Sequence, residues 1–289
     1  MKPVSFASRP RMLAISELQW MCHLVQARTG VVVEEDKVYL VEARLAALAD
    51  REGFGSVREL LTGLRMEESD GMLHRAVTES LLVSETSFFR DLHPFESLRT
   101  TVLPALIEHR AADRTLHLWC AACASGQEPY SLAILLREHF PRLADWNVRL
   151  IASDVSHGIL RRAREGTYSA LEVNRGLPAS LLVRWFEKTG ERWRVREDVR
   201  RMVEFRELNL AAPWPSLPPM DLILLRNALL YFDVPLRRAV LQRVGRTLAS
   251  DGVLVLGAGE SPQGLDDGFT AVADERSVSF RKNAVRGTT

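Results

Sequence analysis

The sequence predicts an α/β fold, in which a largely parallel sheet is covered by helices, carries a small antiparallel insertion and follows an all-helical N-terminal domain. Three observations predict it. Up to about residue 82 the apolar positions recur at helical spacing. From about residue 114 short apolar runs alternate with amphipathic stretches, the rhythm of parallel strands joined by crossover helices. Near residue 190 a segment rich in charge interrupts that rhythm once.

The N-terminal helices follow from four apolar stripes: Ile15, Leu18, Met21, Cys22 and Val25; Val38, Val41, Leu45 and Leu48; Leu60, Leu61 and Leu64; and Leu73, Val77, Leu81 and Leu82. Breaks fall at Thr29-Gly30, at Gly53-Phe54-Gly55-Ser56 and at Ser69-Asp70-Gly71, where glycine tolerates positive φ and Ser or Asp suits the start of the next helix. This gives a helical domain over residues 12–83 and an α/β domain over 84–282. In the second, Leu116–Trp119, Val148–Ala152, Met202–Phe205, Leu222–Leu225 and Val253–Leu256 read as strands. Tyr130–Phe140, Ser156–Glu165 and Pro235–Leu248 read as the helices between them. The charged stretch, about residues 172–206, reads as an inserted set of small antiparallel strands, and Phe269–Lys282 as an antiparallel pair at a sheet edge.

Composition excludes several function classes. Thirty-eight Lys and Arg against 37 Asp and Glu give a formal charge of +1, so no sequence-wide field favours nucleic acid or an anionic membrane. The N-terminus lacks the apolar run of a signal peptide, and no stretch approaches the roughly 20 apolar residues of a membrane span; a cytoplasmic protein without membrane insertion is expected. The three cysteines, Cys22, Cys120 and Cys123, are too few for a disulfide framework and are expected to be reduced.

In an open α/β sheet a ligand lies beyond the carboxyl ends of the strands, so the residues that follow each strand are the candidates. The first such turn, Cys120-Ala121-Ala122-Cys123-Ala124-Ser125-Gly126-Gln127-Glu128-Pro129-Tyr130-Ser131, is made of small residues that let backbone approach a ligand, or else simply form a tight turn. It also contains a C-x-x-C. A redox role for that pair is the less favoured reading, since the surrounding elements exceed a thioredoxin-sized unit. Asp154, after the second strand, suits ribose hydroxyls, although Asp154 or Ser156 would equally serve as a helix cap. Asn209-Leu210 follow the third strand and Arg226-Asn227 the fourth. A buried apolar run ending in Arg-Asn needs partners at the sheet edge, which favours ligand contact there. Between the domains, Ser84-Glu85-Thr86-Ser87-Phe88-Phe89-Arg90-Asp91 carries two Phe suited to anchoring and an Arg suited to a site. No metal site is indicated.

Together these pieces resemble the CheR-type methyltransferases of chemotaxis receptors. The resemblance rests on Thr86-Ser87-Phe88-Phe89-Arg90, the run Ala121–Ser131, Ala152-Ser153-Asp154, Asn209-Leu210, and Arg226-Asn227 followed by Tyr231-Phe232. It implies a class I, Rossmann-like S-adenosylmethionine-dependent methyltransferase domain that esterifies glutamate side chains of methyl-accepting chemotaxis receptors and releases S-adenosylhomocysteine. It also implies roles: Ser84, Thr86 and Arg90 reaching the cofactor from the linker, Glu128 at its methionine amino end, Asp154 at its ribose, Asn209, Leu210, Arg226 and Asn227 lining the rest, and Arg90 and Tyr231 beside the reacting methyl. The partner so implied is the receptor's cytoplasmic domain, met by a peripherally associated monomer. The insertion resembles a β-subdomain that lies against the receptor; residues 184–206 carry 8 Lys or Arg against 5 Asp or Glu, so an acidic surface is expected to meet it. With no glycine at its tip beyond Gly190, it is not expected to tether a receptor tail peptide. Alternatives are a methyltransferase of this fold acting on another acidic protein or a small molecule, and a non-catalytic relic. In the run Gly257-Ala258-Gly259-Glu260-Ser261, Ala258 stands where the family commonly has His, a position to which no essential role is assigned.

Overall fold

The computed structural model describes residues 13–33, 38–68, 71–274 and 277–283. Contacts divide the chain into two compact units, Met1–Val83 and Ser84–Thr289.

The first unit holds helices α1 (Ile15–Thr29), α2 (Val38–Glu52), α3 (Val57–Met66) and α4 (Met72–Leu81). Their stripes converge on one core in which Met21, Val25, Leu45, Leu60, Leu64 and Val77 are wholly buried. α1 stops at Gly30, whose φ of 76° lets its N–H return to the Gln26 carbonyl. The carboxylate of Glu67 then takes the Leu73 and His74 amides at 3.2 and 3.0 Å, satisfying the first turn of α4 in place of a cap at Gly71.

The second unit opens with a helix to which the sequence analysis assigned no element: α5 (His93–Ser97), a π-turn (Leu98–Val102) and α6 (Leu103–His109) run continuously. Pro94 sits in a first turn, where no N–H is needed, and the widened turn ahead of Pro104 accommodates the missing donor, with Leu103 N–H bonding the Leu98 carbonyl. Then follow β1 (Thr115–Ala121), α7 (Gln127–His139), β2 (Asn147–Asp154), α8 (His157–Glu165), β3 (Thr167–Ser169), α9 (Ala170–Asn174), α10 (Ala179–Trp185), β4 (Phe186–Thr189), β5 (Arg192–Val195), α11 (Glu197–Arg200) and β6 (Val203–Glu207). The chain finishes through β7 (Met220–Leu225), α12 (Val234–Thr247), β8 (Leu248–Leu256), β9 (Phe269–Asp274) and β10 (Ser277–Lys282).

The main sheet has the order β6-β2-β1-β7-β8-β10-β9, parallel from β6 to β8, with β10 and β9 antiparallel at its edge. All six residues of β7 are buried, as expected of a parallel strand covered on both faces. From β1 the chain works outward through β2 to β6, then returns to pair β7 on the other side of β1. That reversal makes the carboxyl ends of β1 and β7 the topological switch point, where open α/β sheets leave a crevice. The insertion is a β3-β5-β4 sheet. It starts at Thr167, ahead of the expected 172, because Thr167–Ser169 pair with β5, and it includes α9, α10 and α11 beside its strands, α9 being opened by a capping box of Ser169 with Glu172. Among the described residues no helix is long and apolar enough to cross a membrane.

At the amino end of β7, Arg110 fastens three elements. Its Nε donates to Asp221 at 2.7 Å and its two terminal nitrogens reach Asp251 at 2.9 and 2.5 Å, while the second oxygen of Asp221 accepts the His117 amide at 2.7 Å. Asp221 is 5% exposed at its side chain, and removing one partner of such a pair strands the other charge. Arg110→Met is expected to lower unfolding stability by about 3 kcal/mol, read as a lower urea midpoint. Arg110 also holds the Asp251 carboxyl down to about 2. That contribution is present in full above the ordinary Asp range near 3.9 and is lost as pH falls toward the folded value. Asp251→Asn should remove this part of the acid sensitivity, measured as urea midpoint against pH.

Candidate functional site

After β1 the chain makes a loop of alternating left-handed residues: Ala122 at φ 55°, Ala124 at φ 48° and Gly126 at φ 92°. Small side chains are required there. A Cβ on Gly126 would come within 3.1 Å of the Ala163 methyl and 3.3 Å of the Tyr168 hydroxyl. The loop is fastened to the end of β2, with Cys123 N–H donating to the Ser153 carbonyl at 2.9 Å and Ala124 N–H to Asp154 Oδ2 at 2.9 Å. The other oxygen of Asp154 accepts the Ser156 amide at 3.0 Å, and Ser156 itself caps α8 by accepting the Ile159 amide at 3.1 Å. The cap therefore falls to Ser156, and Asp154 belongs to the strand-end loops.

The loop delivers Glu128 in the first turn of α7, where the helix dipole favours an anion. Arg226, immediately after β7, meets it: Nη1 donates to Glu128 Oε2 at 2.8 Å, and Nη2 donates to Asp91 Oδ2 at 2.8 Å and to the Arg90 carbonyl at 2.9 Å. The Arg226 side chain is 1% exposed, its guanidinium lies 5.7 Å from the centre of the Phe95 ring, and its buried Nε has no partner among the described residues. Burial pushes the Glu128 carboxyl above its ordinary range against the pull of Arg226 and Arg90, with Glu260 adding to the push. Arg90, Glu128, Arg226 and Glu260 thus share one electrostatic neighbourhood.

The segment bearing Arg90 reaches this point through a turn with three non-glycine residues at positive φ, Phe89, Asp91 and Leu92. It is held from three sides. Phe89 N–H donates to Ser131 Oγ on α7 at 2.9 Å; the Phe88 ring packs edge-on against Tyr168 and Phe186 at 5.0 and 5.4 Å; and a Cβ on Gly176 would lie 2.1 Å from the Phe88 carbonyl oxygen. Arg90 is half-buried, its Nη1 donating to the Glu85 carbonyl at 3.0 Å, while Glu85 pairs with Arg175 of the insertion. Upstream, Thr86 is half-buried and Ser84 exposed; neither is among the groups that Arg226 joins.

On the β7 side, Asn227 adopts φ 57° and its N–H donates to Glu260 Oε2 at 2.7 Å. Tyr231 follows, half-buried, in a short 3-10 turn, Leu229–Tyr231. After β6, Asn209 Oδ1 accepts the Ala211 amide at 2.9 Å, and the carbonyl of the buried Leu210 accepts from Arg243 at 2.9 Å. The structure therefore brings Arg90, Glu128, Arg226 and Asn227 to the switch point, with Asp154 one strand away and Asn209-Leu210 two away along the same edge. Asp91 and Glu260 also take part here, though neither stands among the candidate residues read from the sequence. For both a signal existed: each is an acid at the switch point or strand end, within a run already singled out.

Cys120 and Cys123 are both buried. Burial pushes both thiols well above the ordinary range, and Glu128 beside Cys120 and Asp154 beside Cys123 push in the same direction. An active dithiol needs a depressed thiol pKa, so the redox reading of the C-x-x-C does not hold. Among the described residues no group of three His, Cys, Asp or Glu is placed to hold a metal ion.

A sequence model described as CheR methyltransferase, SAM binding domain, matches residues 84–278. The chain is 38% identical over 257 residues to chemotaxis protein methyltransferase 1 of Pseudomonas aeruginosa, covering 87% of this chain and 92% of that one. It is 36% identical over 257 residues to chemotaxis protein methyltransferase Cher2 of Pseudomonas putida, with the same coverage. A chemotaxis protein methyltransferase 1 of Vibrio cholerae is 34% identical over 275 residues, 93% of this chain and 98% of that one.

The thiol chemistry gives a direct check. Under native conditions at pH 8, Cys120 and Cys123 should resist iodoacetamide and be labelled only after unfolding, as read by peptide mass spectrometry; rapid native labelling of either would contradict the burial.

Proposed function

The chain belongs to the CheR methyltransferase family, whose domain binds S-adenosylmethionine, and on that premise we propose that it esterifies glutamate side chains of methyl-accepting chemotaxis receptors. The observation that carries this reading is the Arg226 clasp, which gathers the Arg90 segment, the Glu128 turn and the Asn227 loop at the switch point of the sheet. The residues present fit the cofactor by their chemistry: a carboxylate for a cationic amino end in Glu128, a second at a strand end for a ribose diol in Asp154, and a loop of small residues between them. Ser84, Thr86, Asn209, Leu210, Arg226 and Asn227 complete the set. When bound, S-adenosylmethionine supplies a methyl group on a sulfonium, which an acceptor oxygen takes while the carbon–sulfur electron pair returns to sulfur.

The acceptor needs no base. A glutamate with a pKa near 4.3 is already ionised at neutral pH, which explains a site without a His or Cys dyad. The work left to the protein is orientation of the carboxylate. Arg90 offers a planar pair of donors that suits two carboxylate oxygens, and Tyr231 offers a single O–H. Receptor docking falls to the insertion, where β5 presents Arg192 and Arg194 exposed on one face, two residues apart.

Wild-type protein incubated with radiolabelled S-adenosylmethionine and receptor cytoplasmic fragments should yield label that is released by alkali, as a carboxyl methyl ester is; alkali-stable label would overturn the proposal. Arg90→Ala should cost about 10²-fold or more in kcat with unchanged circular dichroism, and near-normal turnover would remove Arg90 from its role. Protonated Glu128 has no charge to offer an ammonium group. Cofactor affinity should therefore fall on acidification at a pH above the ordinary glutamate range, following the upward displacement of this carboxyl. Calorimetric titration against pH tests this, and Glu128→Gln should flatten the profile at weakened affinity.

A further inference from the structure

We propose that Glu260 is a positioning residue for methyl transfer, holding the loop that carries Asn227 and Tyr231; this rests on the function proposed above. β7 and β8 are parallel neighbours whose register pairs Leu225 with Leu256, so the loops after them leave the sheet side by side. Glu260 joins the two. Its Oε2 accepts the Asn227 amide at 2.7 Å and the Gly257 amide at 2.8 Å, and its Oε1 accepts the Leu230 amide at 3.3 Å. Two of these donors lie on the loop after β7 and one on the loop after β8. One carboxylate thus satisfies three backbone groups for which the sheet provides no acceptor.

The space around this contact is specified closely. A Cβ on Gly257 would meet the Asn227 side-chain nitrogen at 2.7 Å, the Asn227 amide nitrogen at 2.8 Å and Glu260 Oε2 at 2.8 Å. Only glycine lets the two loops approach so near. Asn227 sits at φ 57°, a conformation that costs a non-glycine residue energy and persists when its surroundings enforce it. Glu260 supplies that enforcement through the Asn227 amide. Further along the loop, Arg237 on α12 donates to the Phe232 and Leu230 carbonyls at 2.7 and 3.1 Å. At its start Arg226 is fixed to Glu128. Between those two anchors Glu260 is the restraint that sets the path of residues 227–230, and hence where Tyr231 begins.

Three variants of the full chain test this: Glu260→Ala, Glu260→Gln and, as a stability control at the opposite end of the sheet, Asp251→Asn. Glu260→Ala should weaken S-adenosylmethionine binding about tenfold by calorimetry and lower kcat on receptor fragments about 10²-fold, the range seen when a residue that orients ligands or substrate is lost, with receptor KM little changed. Glu260→Gln keeps one oxygen for the two short contacts and turns an N–H toward Leu230, so it should fall between Ala and wild type in both quantities. Asp251→Asn should lower the urea midpoint and leave affinity and kcat at wild-type values when assayed below its unfolding transition. Wild-type affinity and kcat in folded Glu260→Ala would overturn the proposal, as would losses in Asp251→Asn that match those of Glu260→Ala. If Glu260→Ala does not fold, a Glu260→Gln variant equal to wild type overturns it. Absence of alkali-labile transfer by the wild-type protein would instead refute the function, and the affinity comparison would still judge Glu260.

Discussion

A guanidinium with no access to water has to be compensated inside the protein, and the site around Arg226 is organised by that requirement. Desolvating an Arg side chain costs several kcal/mol unless counter-charges and acceptors surround it. The acceptors come from two places distant in sequence, Glu128 on the first turn of α7 and, on the segment before α5, Asp91 with the Arg90 carbonyl; both meet Arg226 at the end of β7. None of these loops can shift without breaking a charge-assisted bond in a dry environment. The same constraint accounts for the distorted backbone at Phe89, Asp91 and Leu92, which delivers two acceptors to one guanidinium, while the burial that the cluster imposes raises the Glu128 carboxyl against the pull of Arg226.

The chemistry implied by such a site is economical in functional groups. A hydrolase must build a nucleophile and a base; a methyl donor that arrives activated and an acceptor that arrives ionised leave only geometry to be provided. Rigidity is what geometry requires. The loops at the switch point accordingly add many backbone contacts to the Arg226 pairs, with amides bonded to Asp154, Glu260 and Ser131. The insertion takes part as well: Gly176 abuts the Phe88 carbonyl, and Phe88 is wedged against Tyr168 and Phe186.

Most of this architecture was legible in the sequence because burial leaves a periodic trace. The five strands of the parallel sheet appear as apolar runs, and the crossover helices as stripes between them. Arg226-Asn227 stood out because polar residues seldom close a buried run without a partner. What escaped notice did so for physical reasons. The helix over 93–109 contains two prolines, and only the actual turn type shows that neither N–H is missed. The insertion starts with a three-residue strand, Thr167–Ser169, too short to leave a periodic trace, and the capping box of Ser169 and Glu172 that follows it resembles ordinary surface polarity. Glu260 contributes through main-chain amides, two of them 30 and 33 positions earlier at Leu230 and Asn227, and an acceptor of backbone donors has no side-chain partner to announce it.

Among the described residues, seven non-glycine positions have positive φ, and six of them, Phe89, Asp91, Leu92, Ala122, Ala124 and Asn227, surround the site. Each is held in a conformation that costs an L-residue about 1 kcal/mol or more. Glycine at any of them would relax the backbone and, taken alone, ease the folded state. It would also let the loop wander through conformations that a Cβ now forbids. Descent within this family therefore faces opposed pressures at these positions, with folding rewarding the change that catalysis rejects. A search for thermostable variants by glycine relief would begin at the residues where it can least be tolerated.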